Sequence, residues 1–337
     1  MASEDAVVLG MGGWGTALAN LLATQGRTVW LWGRDPERAE QLRTLRRNEV
    51  YLPNVPIAET VIPTADLACV RNAPLILFVA PSRATHEVAN KVQEIGISSD
   101  AALVSATKGF EFPSGRRISE ILHSLFPQNP VAVLSGPNHA EEVGLALPTA
   151  SVLGGSSHSI LIQLQRTFST ASFRTYTSDD VTGIELGGAL KNVYALAAGV
   201  CDGLKLGDNS KAALVTRCLT EMIRLGVALG GKKETFQGLS GIGDLMVTCF
   251  SKHSRNRRVG ERLGRGETLL QIRESMRAVA EGIPTTETAF NLARLNGVST
   301  PVLDQVYAMF FSGQTPEKTI HNLMTRHLRS ESDDPSR

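Results

Sequence analysis

Residues 10–15 (GMGGWG) have the spacing G-x-G-x-x-G. They follow an apolar run at residues 6–9 and open an amphipathic segment, the context in which this motif binds the pyrophosphate of a dinucleotide. Gly10 permits a tight turn, Gly12 lets the backbone approach the phosphates, and Gly15 lets the helix pack closely on the sheet. The free N–H groups at the helix start stabilise the phosphates. The alternative is an ordinary glycine-rich turn between a strand and a helix.

An arginine follows the second predicted strand, where NAD-selective sites usually place an acidic residue. Gly33 occupies the position expected of that acid, and Arg34 comes next. A guanidinium there can stack on adenine or pair with a ribose 2′-phosphate. Asp35 is either a ribose ligand, if the register differs by a residue or two, or the cap of the next helix. The sequence therefore predicts that NADPH is accepted and leaves NADH open.

A lysine lies within the nearly all-apolar helical pattern LKNVYALAAG at residues 190–199. A buried ammonium is costly unless it is paired or functional, so we expect Lys191 to be functional. The alternative is a side chain that snorkels to the surface. Other lysines of this half lie in more polar surroundings, and we expect them to be solvated: Lys205, Lys211, Lys232 and Lys233.

Three further segments carry polar side chains suited to a ligand. Lys108 directly follows an apolar strand, where doubly wound sheets present ligands. Asp244 ends the glycine-rich segment LSGIGD, although a helix cap is the alternative interpretation. Arg255 offers a planar fork for a phosphate, and Asn256 offers an amide donor. The basic run at residues 255–258 could also be a solvated face. A nucleic-acid patch is disfavoured because no aromatic residues are interleaved with it.

The first half of the chain alternates short apolar runs with amphipathic segments. The runs are too apolar to have one wet face, so we expect strands buried on both sides in right-handed βαβ units. This pattern predicts an α/β fold with a doubly wound, Rossmann-type sheet. The predicted strands are residues 6–9, 28–32, 75–79, 101–105, 131–134 and 150–153, and the predicted helices are residues 14–24, 36–47, 83–95 and 116–125.

From residue 179 onward a period of 3.6 residues dominates, which predicts an all-α second domain. We expect a dinucleotide-binding domain over residues 1–178, a substrate-binding domain over 179–328, and a frayed polar tail over 329–337. The apolar helices are compatible with a homodimer, although a packed monomer would look similar. The predicted helices are residues 182–199, 210–229, 244–249, 257–263, 268–276, 285–295, 301–310 and 316–324.

The composition excludes several classes of protein. Of 337 residues, 42% are apolar, enough for a sizeable core, and the net charge of +1 argues against a general nucleic-acid or membrane binder. Neither a signal peptide nor a stretch of about 18 apolar residues is apparent, so we expect a cytoplasmic protein without a membrane span. The four cysteines lie far apart and form no C-x-x-C pair, which predicts a reducing compartment, apolar packing and no metal site.

Taken together, the motifs resemble those of the soluble NAD(P)-dependent glycerol-3-phosphate dehydrogenases over residues 5–325, approximately. Each motif is short, but their order and spacing are specific. They are residues 10–19 (GMGGWGTALA), 51–53 (YLP), 79–82 (VAPS), 107–109 (TKG), 134–137 (LSGP), 142–143 (EV) with 148–150 (PTA), 190–193 (LKNV), 207–209 (GDN), 241–245 (GIGDL) and 254–256 (SRN).

The resemblance implies reversible interconversion of dihydroxyacetone phosphate and sn-glycerol 3-phosphate for glycerophospholipid synthesis, with NADPH or NADH as cofactor. Lys191 matches the acid/base lysine. The implied cofactor contacts, besides the glycine turn, are Gly13, Trp14, Arg34, Lys108, Ala140, Arg255, Val279 and Glu281. The implied substrate contacts are Lys108, Gly136, Asn138, Lys191, Asp244, Ser254, Arg255 and Asn256.

In this mechanism the Lys191 ammonium donates a proton to the developing alkoxide. Burial lowers the pKa of Lys191 and a nearby carboxylate raises it. If Asp244 lies close by, the lysine can donate a proton in the reduction and accept one in the oxidation. The chain departs from the family's usual Gly-Pro-Ser-Phe-Ala at Asn138 and His139. An asparagine can still form hydrogen bonds. We interpret His139 as a packing substitution and not as a new catalyst.

Two other interpretations remain open at the level of sequence. One is another two-domain dehydrogenase with a helix lysine, of the 3-hydroxyacid or 6-phosphogluconate type. The combination of Asp244 with residues 254–256 argues instead for a triose phosphate. The second is a non-catalytic dinucleotide sensor. The presence of Lys191, Asp244 and Arg255 together argues against a sensor.

Overall fold

The computed structural model describes residues 5–112, 114–276, 280–328 and 330–331. Within these residues the strands form two sheets. In chain order they are β1 (Ala6–Leu9), β2 (Val29–Trp32), β3 (Arg47–Asn48), β4 (Leu52–Pro56), β5 (Val61–Thr64), β6 (Leu75–Phe78), β7 (Ala102–Ser105), β8 (Val131–Ser135), β9 (Thr149–Gly155) and β10 (Phe173–Ser178).

The large sheet has the strand order β10-β9-β8-β7-β6-β1-β2-β5, and β3 pairs with β4 separately. Strands β5, β2, β1, β6, β7 and β8 run parallel, whereas β9 runs antiparallel to β8 and parallel to β10. The chain winds outward in both directions from β1. The carboxyl ends of β1 and β6 therefore border the crevice where sheets of this kind bind ligands.

Helices cover both faces of this sheet. In β1, Val8 belongs to the same apolar cluster as Leu18, whereas Val7 belongs to a second cluster with Val88. Both Val7 and Val8 are fully buried. The doubly wound Rossmann-type fold predicted from the sequence is confirmed.

The helices are α1 (Gly13–Ala23), α2 (Pro36–Leu45), α3 (Ser82–Ile95), α4 (Ile118–Leu125), α5 (Ala140–Gly144), α6 (His158–Phe168), α7 (Val181–Gly203), α8 (Asp208–Ala228), α9 (Lys233–Phe236), α10 (Asp244–Phe250), α11 (Arg255–Gly264), α12 (Leu269–Ser275), α13 (Gly282–Leu295), α14 (Pro301–Phe311) and α15 (Pro316–Met324). A 3₁₀ turn spans Leu67–Val70, and a π-helical turn spans Leu239–Gly243.

Helix α7 is the centre of the helical half. Nearly all of its 23 residues are buried, because α8, α10, α11, α13 and α14 pack around it. A helix that is apolar on all sides belongs in the middle of a bundle. Among the residues that the structure describes, no helix is both long and apolar enough to cross a membrane.

A buried carboxylate ties α7 to the sheet-bearing half. Glu185 accepts hydrogen bonds from the Ser119 N–H (2.9 Å) and hydroxyl at the start of α4, and it pairs with Arg117. Burial raises the pKa of Glu185, and these donors act in the opposite direction. The contact sets the orientation of α7 relative to the carboxyl edge of the sheet.

Several elements were missed by the sequence analysis. These are the β3–β4 pair, β5, β10, α5, α6 and α9. β5 contains Pro63 and is an edge strand, where proline is tolerated. β10 is also an edge strand, and its exposed Arg174 and Tyr176 break the continuous apolar run on which the strand predictions relied.

The antiparallel strand β9 departs from the alternating parallel pattern expected of this half. The connection from β8 to β9 contains only the short helix α5, with five residues. A parallel crossover usually needs a full helix to carry the chain back along the sheet. The chain returns in the opposite direction instead, and residues 136–148 remain at the carboxyl edge, where the site lies.

Candidate active site

Three charged side chains from different parts of the chain meet beside the carboxyl edge of the sheet. Asp244 Oδ2 accepts a hydrogen bond from Lys108 Nζ at 2.8 Å, and its Oδ1 accepts one from Lys191 Nζ. The side chains of Lys191 and Asp244 are only 7% and 1% exposed, and that of Lys108 is 15% exposed. A single carboxylate therefore lies between two ammonium groups, and Lys191 does not snorkel to the surface.

The surroundings of Lys191 favour loss of its proton near neutral pH. Burial is the largest effect and lowers the pKa of Lys191, Asp244 raises it, and the charge of Lys108 lowers it; together they bring this pKa from 10.5 to about 7. A group with a pKa near the working pH can both give and accept a proton. Asp244 bonds to two lysines and makes no side-chain cap to α10, so its interpretation as a helix cap is wrong.

Glycines of α7 bring these groups together. A Cβ at Gly187 would lie 2.4 Å from the carbonyl oxygen of Ser240, in the turn before Asp244. A Cβ at Gly199 would lie 1.9 Å from the carbonyl oxygen of Arg257 in α11. Only a bare backbone permits both approaches, so α7 can touch the segment carrying Asp244 and the helix carrying Arg255.

Polar groups around Lys108 hold its ammonium in place. Lys108 Nζ also donates to the Gly136 carbonyl (2.9 Å) and to Asn138 Oδ1 (2.5 Å), and Asn138 Nδ2 donates to Ser151 Oγ. Gly136 has a φ of +140°, a conformation that strongly favours glycine. Asn138 thus orients Lys108 in this structure.

Asn192 links this cluster to α11. Its Nδ2 donates to the Lys108 carbonyl at 3.3 Å, and its Oδ1 accepts from Asn256 Nδ2 at 2.8 Å. Asn256 Oδ1 in turn accepts from the Gly282 N–H. The sequence analysis missed Asn192, although a buried amide next to Lys191 on an apolar helix was a signal.

The start of α11 is arranged as an anion site. Ser254 caps the helix by accepting a hydrogen bond from the Arg257 N–H, and it is buried. Arg255 is exposed at the first helical position, and Asn256 is buried at the second. A helix amino terminus with an arginine beside it suits a phosphate.

The glycine turn fits a dinucleotide. Gly10 has a φ of +140°, and a Cβ there would lie 2.9 Å from the Val79 carbonyl oxygen. A Cβ at Gly15 would lie 1.8 Å from the Gly10 carbonyl oxygen, so α1 and the turn pack without any side chain between them. Gly12 instead faces open space, with nothing within 4 Å. The free space beside the start of α1 accommodates a pyrophosphate.

Residues around this turn form its walls. Trp14 Nε1 donates to the Ala106 carbonyl at 3.2 Å, which ties α1 to the end of β7. A Cβ at Gly13 would lie 3.6 Å from that of Ala140. Asn48, which the sequence analysis missed, is buried and donates to the Met11 carbonyl, so it holds the turn from the side of β3.

Arg34 and Asp35 both follow β2, but only the side chain of Asp35 is used to cap the next helix. Arg34 is exposed. Asp35 Oδ1 accepts hydrogen bonds from the N–H groups of Glu37 (3.1 Å) and Arg38 (3.2 Å), so it caps α2. This observation supports the helix-cap interpretation of Asp35, and the cofactor contact expected of Arg34 stays a prediction.

Glu281 approaches the crevice from the helical half. Its carboxylate accepts from the Ser82 N–H (3.1 Å) and hydroxyl (2.7 Å) at the start of α3. A Cβ at Gly109 would lie 3.2 Å from Glu281 Oε2, so this contact borders the loop of Lys108. Ser82 was not singled out as a site residue. Val279 lies outside the described residues.

His139 lies beside the two lysines. Burial, Lys191 and Lys108 together lower the pKa of His139 from 6.5 to about 4, so its ring is neutral at neutral pH. Its ring centroid is 6.1 Å from that of His253, in the turn before α11. The interpretation of His139 as a packing substitution stays a prediction.

One lysine expected to be solvated is not. Lys211 is buried and donates to Asp202 Oδ2 at 2.8 Å, so that prediction is wrong. Asp202 is only nine residues away but lies on a different helix, and Arg257 is distant in the sequence, so the polar segment around Lys211 did not indicate its burial. Lys232 is exposed as expected, although it pairs with Asp179.

Comparison with known proteins agrees with this geometry over almost the whole chain. Residues 5–160 match the family model described as the N-terminus of NAD-dependent glycerol-3-phosphate dehydrogenase, and residues 180–321 match the model of its C-terminus. The chain belongs to the NAD-dependent glycerol-3-phosphate dehydrogenase family. The resemblance inferred from the motifs is confirmed, and with it the assignment to an NAD(P)-dependent oxidoreductase family.

Individual members of the family are similar along their full length. A glycerol-3-phosphate dehydrogenase (NAD(P)+) of Carboxydothermus hydrogenoformans is 45% identical over 98% of this chain and 99% of its own. One from Moorella thermoacetica is 46% identical over 96% of both chains. The crystal structure of a glycerol-3-phosphate dehydrogenase from Coxiella burnetii superposes with a TM-score of 0.93 at 37% identity, covering 97% of this chain and all of the other.

Proposed function

We propose that the chain reduces dihydroxyacetone phosphate to sn-glycerol 3-phosphate, reversibly, with NADPH or NADH. The observation that carries the proposal is the buried Lys191 ammonium, paired with Asp244 and next to a phosphate-suited helix start. Family membership supports the same reaction.

When bound, the nicotinamide supplies the hydride that reduces the ketone. Lys191 donates the proton to the oxygen that becomes the hydroxyl group, and its charge stabilises the developing alkoxide. Asp244 keeps a fraction of Lys191 protonated near pH 7, since it raises the pKa that burial lowers. Lys108 adds a second positive charge next to the same carboxylate. In the reverse direction, neutral Lys191 accepts the proton of the substrate hydroxyl.

The substrate phosphate binds at the start of α11 in this proposal. Arg255 pairs with it, and Ser254 and Asn256 contribute polar donors. Asn138 and Gly136 hold Lys108, which faces both substrate and cofactor. The cofactor would bind at the glycine turn and contact Gly13, Trp14, Arg34, Ala140 and Glu281.

Arg34 is predicted to set the preference for the phosphorylated cofactor. Arg34→Ala should raise the KM for NADPH roughly 10–100-fold, the equivalent of one hydrogen-bonded charge pair, and change that for NADH by less than about threefold. Steady-state kinetics with both cofactors measures this. Equal losses would reduce Arg34 to a stacking or structural role, and Arg43→Ala, at an exposed arginine of α2, serves as a control.

The proposal as a whole is tested by a substrate panel. Reduction of dihydroxyacetone phosphate is followed through the absorbance of the reduced nicotinamide, with NADPH and NADH in parallel, and we expect turnover with both. Oxidation of 6-phosphogluconate and of 3-hydroxyacids is measured beside it. Turnover of either and none of the triose phosphate would overturn the proposal. Cofactor binding without any turnover would indicate a sensor.

The organisation of the molecule is proposed as follows. The cofactor domain covers residues 1–178 and the substrate domain covers 179–328, whereas most of the tail expected over 329–337 lies outside the described residues. Supply of sn-glycerol 3-phosphate to glycerophospholipid synthesis in the cytoplasm is the role proposed. A homodimer is supported by an apolar stripe of exposed side chains at a spacing of four residues, namely Ile242, Met246 and Phe250.

A further inference from the structure

A second, partly buried cluster of charges joins three helices of the substrate half. Asp202 Oδ2, near the end of α7, accepts hydrogen bonds from Lys211 Nζ of α8 and from the guanidinium of Arg257 in α11. The side chains of Lys211 and Arg257 are 9% and 13% exposed. Among the described residues, this trio is separate from the Lys191 pair, because Asp202 lies about 16 Å further along α7 at 1.5 Å per residue.

Both cations of the trio also hold the turn between α10 and α11. Arg257 Nε donates to the Ser251 carbonyl at 3.0 Å. The ammonium of Lys211 lies 4.6 Å from the centre of the Phe250 ring, which is a cation–π contact. Residues 250 and 251 end the helix that begins with Asp244. The trio therefore fixes the corner from which α11 starts.

The next residues after this corner are those proposed to bind the phosphate. Ser254 caps α11 through the N–H of Arg257, the same residue whose side chain reaches Asp202. Arg255 and Asn256 lie two residues and one residue before Arg257, respectively. Any rotation of the first turn of α11 moves all three groups relative to Lys191.

Lys211 is needed because Arg257 has a second acidic partner. Its guanidinium also pairs with Glu261, one turn further along α11, at 3.1 Å. Lys211 and Arg257 both donate to the same oxygen of Asp202. Lys211 thereby holds this carboxylate in place, so that Asp202 can compete with Glu261 for the guanidinium of Arg257. Without Lys211, we expect Asp202 to turn toward solvent and Arg257 to move to Glu261, which releases the Ser251 carbonyl.

We propose that Lys211 and Asp202 are positioning residues for the substrate phosphate, which they influence by fixing Arg257 and, through it, the start of α11. The inference rests on the proposed function, since it assumes that Arg255 and Asn256 bind the phosphate. It assigns a role to the buried lysine that follows the GDN motif at residues 207–209.

The test compares Lys211→Met with Lys211→Arg, which keeps a cation for Asp202, and with Lys233→Met at an exposed lysine. Lys211→Met should raise the KM for dihydroxyacetone phosphate at least about tenfold, which corresponds to the loss of one hydrogen bond to a charged group. It should lower kcat less than about threefold. The inhibition constant of inorganic phosphate should rise in parallel. Lys211→Arg should recover most of the loss, and Lys233→Met should behave as wild type.

A double-mutant cycle shows whether the effect passes through Arg255. Arg255→Ala alone should raise the KM for the triose phosphate steeply, and Lys211→Met should add less than about threefold to it. Full additivity, a fall in kcat at constant KM, or no change in phosphate inhibition would overturn the inference. Asp202→Asn should repeat the pattern if Lys211→Met is too unstable to purify. Absence of triose phosphate turnover in the wild type would instead refute the proposed function.

Discussion

Lys191→Ala should lower kcat for dihydroxyacetone phosphate reduction by about 10²–10⁴-fold, the range that a positioned proton donor contributes. The alkoxide also loses the charge that stabilises it. The fold should survive, because Asp244 keeps its hydrogen bond from Lys108 and is not left as an unpaired buried charge. Steady-state kinetics measures the loss, and fluorescence titration should give an NADPH affinity close to that of the wild type.

Two controls separate proton transfer from charge. Lys191→Arg keeps a positive charge in a group that does not release its proton, and it should remain slow. Small primary amines added to Lys191→Ala should restore part of the rate, since they can occupy the space of the lost side chain. Near-normal turnover of Lys191→Ala would remove Lys191 from the acid/base role, and loss of NADPH binding would point to a structural one.

Asp244→Asn should move the pH profiles of both directions to lower pH, which slows reduction at pH 7 and favours oxidation there. The carboxylate raises the pKa of Lys191 and opposes burial and Lys108, and the result of all three is a pKa of about 7. Removing the negative charge therefore moves the pKa of Lys191 further down, by roughly 1–3 units. Reduction needs protonated Lys191, so its rate at pH 7 should fall and its alkaline limit should move to lower pH. Oxidation of sn-glycerol 3-phosphate needs neutral Lys191 and should extend to lower pH.

The measurement is kcat/KM from pH 5 to 9 in both directions, because this ratio reports the pKa of the free enzyme. Asp244→Ala should be more damaging, since truncating one partner of a buried ion pair costs about 3–5 kcal/mol. Thr248→Ala tests the neighbouring hydroxyl, which lies 3.5 Å from Asp244 Oδ1, and should shift the profile little. An unchanged profile in Asp244→Asn would mean that another group sets the pKa.

The sequence predicted the parts of the molecule that depend on local periodicity. Buried parallel strands are continuous apolar runs, so β1, β6, β7 and β8 were found, whereas the edge strands β5 and β10 were not. The turn at residues 10–15 was identified because the local backbone geometry of such a turn requires glycines at a fixed spacing. The apolar pattern around Lys191 is also local, and it predicted the burial of this lysine because a helix without a polar face has no side that suits contact with solvent.

Tertiary structure alone decided how the charges are paired. Asp244 is 53 residues from Lys191 and 136 from Lys108, and no periodic pattern relates positions so far apart. Their meeting depends on glycines that let backbones touch, such as Gly187 against Ser240. Lys211 was misjudged because its own segment is polar, and only the packing of α7, α8 and α11 buries it. A sequence records which residues prefer to be buried, but the partner of a buried charge is determined by which helices pack together.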